Sequence, residues 1–164
     1  MKYIPLTKGK QAIIDDADYD RVSIFKWHLA GSGYAVRFEG ARGHQKAIYL
    51  HRQLLDAQKG QEVDHVNMDK LDDRRENLRF CTRSQNTFNT VKRVTNTSGF
   101  KGVFKGKDEI RWRASIKIDG QDIPLGYFDT PVEAARAYNV AALKYQGEFA
   151  HLNEIPQENP HGLA

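Results

Sequence analysis

One cysteine, Cys81, stands in the whole chain, which excludes an intramolecular disulfide and a four-thiolate zinc site and makes a reducing compartment the simplest setting. No apolar run approaches the roughly 18 residues that a membrane span needs. The opening MKYIPLTKGK lacks the apolar segment of a secretory leader. The expectation is a soluble, cytoplasmic protein with no membrane partner. The chain is also short of core: 164 residues make one ordinary domain or two small ones, and units below about 70 residues are marginal on their own.

Excess charge is scarce too, a formal +4, but it is unevenly placed. Between Lys70 and Arg93 seven basic residues face three acidic ones, and between Lys101 and Lys117 six face two. Each segment is therefore net +4, and the rest of the chain is net acidic. Clustered positive charge suits a polyanion, although a solvated basic face has the same composition.

Up to Leu50 the chain alternates short apolar runs with turn residues (AIID, YAVRF, AIYL), which predicts short strands. DDADYD before VSIFKW suits a capped helix start, and HRQLLDAQ (51–58) reads as a brief helix ending at Gly60. Trp27, Phe25, Tyr34 and Tyr49 read as core. EVDHV, the loop NMDKLDDRREN and LRFCT form a hairpin in which Leu78 and Phe80 share a face. Thr82 and Gln85 make a capping box for a helix from Arg83 to about Val91. Residues 92–98 read as a linker. After it come three strands, GFKGVF, IRWRASIKI and DIPLGYF, then Thr130-Pro131-x-Glu133 opening a helix that Gly147 closes. Trp112, Ala114, Ile116 and Ile118 face one way, and Arg111, Arg113, Ser115 and Lys117 the other. The helix stacks Ala134, Ala137, Tyr138, Ala141, Ala142 and Tyr145.

Hydrolysis of a phosphodiester needs a deprotonated water, stabilisation of developing negative charge and neutralisation of the leaving oxygen. Asp64 and His65 end a predicted strand, Asn77 follows twelve residues after His65 and Asn86 nine after that. Asp64 and Asn86 could offer hard oxygens to Mg²⁺. His65 could take a proton near neutral pH, with the Asn77 carbonyl orienting its ring. Residue chemistry alone favours a satisfied structural histidine over this catalytic one.

The stretch HRQLL with EVDHVNMDKLDDRRENLRFCTRSQNTFN, within 51–89, resembles HNH endonucleases of the homing and phage type. That resemblance implies His65 as general base, Asn77 as its orienting partner, Asp64 and Asn86 as ligands of a divalent metal (Mg²⁺, or Mn²⁺), and a bacterial or phage-infected host as setting. Asp73 stands where the pattern often has Asn. Arg74, Arg79 and Arg83 suit phosphate contact, Arg75 or Glu76 can brace the loop, and His51 reads as structural or phosphate-contacting rather than a ligand.

Residues 97–153, through SGFKGV, RWRASI and LGYFDTPVEAARAYNVAALKYQGEFAHLN, resemble the AP2/ERF DNA-binding domain. This implies a sheet whose open face enters the major groove, with Lys105, Lys107, Arg111, Arg113, Ser115 and Lys117 as contacts. Phe104, Asp122 and Pro124 depart from that family, so its target preference does not carry over. The expected fold is α+β: a ββα-metal nuclease unit in 1–91 (core 51–91), a linker 92–98, a three-stranded antiparallel sheet packed on one helix in 99–153, and a tail 154–164. The expected function is metal-dependent cleavage or nicking of double-stranded DNA by a monomer or weak dimer. The alternatives are a transcription regulator carrying an HNH remnant and an RNA-processing nuclease, the latter ranked last because no exposed aromatic platform for single strands is apparent.

Overall fold

The computed structural model describes residues 1–41, 43–90, 96–105 and 110–156. Two compact units divide the chain, Met1–Asn86 and Thr87–Ala164. Helices are interspersed with four small antiparallel sheets among the described residues.

In the first unit β1 (Lys2–Pro5) pairs with β2 (Gln11–Ile14). The short helix α1 (Tyr19–Ser23) leads into a sheet of β3 (His28–Leu29), β4 (Ala35–Glu39) and β5 (Lys46–Tyr49), then α2 (Leu50–Leu54). The core gathers Ile4, Ala12, Ile14, Val22, Trp27, Leu50, Leu54 and Leu78. Leu50 and Leu54, one helical turn apart, are fully buried, which stabilises by about 2 kcal/mol each. The buried Trp27 indole donates to Val22 O at 2.8 Å. Two expectations change here. Helix α2 stops at Leu54 because Asp56 turns left-handed (φ 52°). Asp15 and Asp18 cap no helix with their side chains; both carboxylates go to Arg75 instead.

β6 (Glu62–His65) and β7 (Leu78–Cys81) form the hairpin, with Asp64 opposite Arg79 and His65 opposite Leu78. The capping box forms as expected: Thr82 N donates to Gln85 Oε1 at 2.8 Å and Gln85 N to Thr82 Oγ1 at 3.2 Å. It opens α3 (Arg83–Phe88); Val91, the expected end, lies outside the described residues. Phe80 is 48 % exposed, not core: Leu78 joins the apolar cluster, and the other end of the hairpin runs past it.

The second unit is a sheet in the order β10 (Gln121–Phe128), β9 (Trp112–Ile118), β8 (Val103–Lys105), backed by α4 (Pro131–Gln146). Thr130 and Glu133 cap α4 reciprocally, and Gly147 ends it at φ 55°. Val103, Ala114 and Ile116 meet Ala134, Ala135, Tyr138, Ala141 and Ala142; Tyr145, expected in the stack, is exposed, and Ala135, not expected there, is buried. Gly102 sits at φ +72°, where an added Cβ would lie 2.2 Å from the Tyr138 ring and 2.6 Å from Ser115 O. Asn96 and Ser98, read as linker, are bonded into this unit through Phe100 O and Val103 O, while 92–95 lie outside the described residues, as do 157–164 of the tail.

Candidate active site

Alternation along β6 sends Glu62 and Asp64 to one face and Val63 and His65 to the other. Asp64 Oδ2 accepts from Arg79 Nε at 3.0 Å and Nη2 at 2.8 Å, a pairing that the cross-strand register imposes. His65 turns inward, where its ring lies 5.1 Å from that of His51 and 5.7 Å from that of Tyr34, centroid to centroid. It is 4 % exposed, and its Nε2 lies 3.0 Å from Asp73 Oδ1.

Asp73 is delivered by the loop between the hairpin strands, and the N-terminal residues hold that loop in place. Ile13 N donates to Leu71 O at 2.7 Å and Asp73 N to Ile13 O at 2.8 Å. Arg75 grips Asp18 with two bonds of 2.7 Å and donates its backbone N–H to Asp15. The first fifty residues thus have a definite task that their sequence does not disclose: they clamp the loop carrying Asp72 and Asp73.

Asn77, expected to orient His65, bonds the loop backbone. Its Oδ1 accepts from Asn67 N at 2.9 Å and its Nδ2 donates to Asp72 O at 2.7 Å, so it orders the loop, and the carboxylate of Asp73 meets the imidazole. Asn86 donates through Nδ2 to Glu62 Oε2 at 2.9 Å, which joins it to the Glu62/Asp64 face. Arg74 and Arg79, expected on phosphate, engage carboxylates of the chain itself: Arg74 binds Asp72 and Glu76, and Arg79 binds Asp64. Arg83 is exposed on the first turn of α3.

Two donor sets therefore lie on opposite faces of β6. Asp64, Asn86 and the adjacent Glu62 are all oxygen donors, the chemistry a hard divalent cation selects, and Asp64 already carries a cationic partner in Arg79. On the inward face, one ligand atom from each of His51, His65 and Asp73 lies within 4.8 Å of the others. Burial and the neighbouring His65 push His51 down to about 3, leaving it a neutral imidazole. Burial raises Asp73 above the usual carboxylate range against the opposing pull of His65. The Arg74 guanidinium holds Asp72 below it, and burial pushes the Cys81 thiol up to about 11, which makes it a poor nucleophile. Tyr34 and Tyr49, expected as core, instead ring His51 at 5.0 and 5.7 Å.

The second unit offers a different surface. Phe104, Arg113 and Tyr127 are register partners in one row across three strands; both aromatics are exposed, correcting the expectation that no such residues are displayed. Arg113 lies over Phe104 and bonds Asp122 at 3.2 Å. Arg111 lies over Tyr127 and Lys117 is exposed, whereas Lys105, expected on this face, is the register partner of Trp112 and lies over its ring on the side that packs on α4. Ser115, expected on this face, is only 5 % exposed because it sits in the central strand beside Gly102, whose carbonyl takes its N–H. Lys107 lies outside the described residues.

A family model described as HNH endonuclease matches residues 56–88. An uncharacterized HNH endonuclease of Acanthamoeba polyphaga mimivirus is 31 % identical over 150 residues, covering 90 % of this chain and 77 % of that protein. Protein 3.8 of Escherichia phage T7 is 33 % identical over 81 residues, 46 % of this chain and 67 % of that one. An AP2-like ethylene-responsive transcription factor of Oryza sativa is 43 % identical over 58 residues, 34 % of this chain but 9 % of the plant protein. No solved structure matches the chain.

Proposed function

The chain belongs to the HNH endonuclease family, and from that premise we propose a metal-dependent nuclease that nicks duplex DNA, with 1–91 cutting and 99–153 supplying an AP2/ERF-like grip. The observation that carries the reading is the buried pair of His65 and Asp73, 3.0 Å apart at the end of β6. Asp73 holds the imidazole by Nε2 and so orients His65 to take the proton of the attacking water. Asn77 acts one step back, ordering the loop that carries Asp73. Asp64 and Asn86 would hold the divalent ion, Mg²⁺ or Mn²⁺, which when bound supplies charge stabilisation at the phosphate and leaving oxygen. At 4 % exposure, His65 reaches a phosphate only when its cluster opens, so turnover includes that opening.

Arg83 on the first unit and Lys105, Arg111, Arg113 and Lys117 on the second are the proposed phosphate and base contacts; Arg74 and Arg79 position carboxylates. The exposed basic sheet face supports the grip, and the short plant-protein likeness supports it weakly. The test is a supercoiled DNA circle incubated with the full chain and Mg²⁺. Conversion to the open circle, stopped by chelation, is expected; a circle left intact under every divalent ion tried would refute the reading.

A further inference from the structure

The hairpin's inward face holds a donor set that the oxygen-only site does not need. Among the described residues, His51 Nδ1 and Asp73 Oδ2 are buried side-chain atoms with no hydrogen-bond partner, His51 is 7 % and Asp73 1 % exposed, and both belong to the trio whose ligand atoms converge within 4.8 Å. An unsatisfied buried polar atom costs about 1–3 kcal/mol, and two in one cluster ask for a common partner. The ligand types are two imidazoles and one carboxylate, the set that selects a borderline ion of the zinc class over Mg²⁺. Zinc bonds of about 2.0–2.2 Å in a tetrahedron put ligand atoms about 3.3 Å apart; the His65–Asp73 separation of 3.0 Å is already near that. His51 arrives neutral, as a ligand must, and Tyr34 and Tyr49 shelter it.

We infer that His51, His65 and Asp73 form a second metal site, selective for a zinc-class ion, that holds the nuclease off by taking His65 as a ligand. The ion and the scissile phosphate compete for the same imidazole. Loading locks His65 in the inward position seen here; without the ion, no metal bond opposes the opening that turnover needs. The silencing half of this inference rests on the proposed role of His65 as base; the binding half does not.

Metal-free full-length protein is titrated with Co²⁺ without DNA or Mg²⁺, following the visible band of tetrahedral cobalt, and Zn²⁺ is then added to displace it. One-to-one binding is expected, weakened at least tenfold by His51→Ala and by Asp73→Asn and unchanged by Asp64→Asn. Thermal melts by circular dichroism verify that each variant is folded, and His51→Gln replaces His51→Ala if the latter is not. No tetrahedral band, or a band indifferent to His51 and Asp73, overturns the site. In a second arm, Zn²⁺ is titrated into the Mg²⁺-driven nicking reaction, each protein measured against its own zinc-free rate. Inhibition of the natural chain with insensitivity of the His51 variant is expected, and equal inhibition of both overturns the silencing role. If nothing nicks at all, the cobalt arm still decides the site, so its failure and that of the nuclease reading remain separate.

Discussion

The two units handle positive charge in opposite ways. In the first, Arg74, Arg75 and Arg79 are each held by a carboxylate of the same unit, and the proposed base His65 sits in a buried cluster. In the second, Arg113 and Lys117 lie on the open sheet face, Arg113 over Phe104 and bonded to the half-exposed Asp122, while Arg111 lies over Tyr127 and Lys105 over Trp112 on the helix side. A basic stretch of sequence thus has two fates. Where buried carboxylates are within reach of the fold, the arginines become braces that set side-chain positions; where the opposite sheet face is filled by a helix of small residues, basic groups are displayed at the surface beside aromatic rings.

That contrast can be broken from either side. The largest effect is expected from Gly102→Ala, since the new methyl would meet Tyr138 and Ser115 O well inside contact distance at a left-handed position; about 3 kcal/mol or more of stability should be lost. Denaturant unfolding measures it, and duplex affinity should fall with it while the first unit keeps its fold. Smaller is the change from Arg113→Ala with Lys117→Ala, which should lower the slope of log affinity against log salt by about one per phosphate contact removed. An unchanged slope would take the sheet face out of the interface. Smallest is a pH effect in the first unit. His51 keeps its proton only below about 3 when folded, against 6.5 ordinarily, so between those values the unfolded chain binds more protons and stability rises with pH. Metal-free protein should therefore lose stability on acidification through that window, and His51→Gln should flatten part of the loss.

Local signals in this sequence were readable where they are self-contained. The capping boxes at Thr82 and Thr130 and the alternation of β9 depend on neighbours a few residues away. What escaped reading depends on long-range pairing. Asp15 and Asp18 look like helix caps, yet they bind Arg75 across some sixty residues. Asp73 looks like a minor departure from a pattern, and its place beside His65 is fixed by a bridge to Ile13. His51 and His65 are brought together by packing of α2 against the hairpin end, which no spacing rule encodes. Ser115 follows the alternation but is short and lies in the central strand between Gly102 and Pro124, whose neighbouring strands bury it.

We propose His65, held by Asp73, as the base of a nuclease whose grip on DNA lies elsewhere. Its most direct test is His65→Ala, with nicking rate and duplex affinity measured on the same preparation. A rate lower by about 10²–10⁴-fold with affinity unchanged is expected, and nicking that survives the substitution unaltered would show that His65 is not the base.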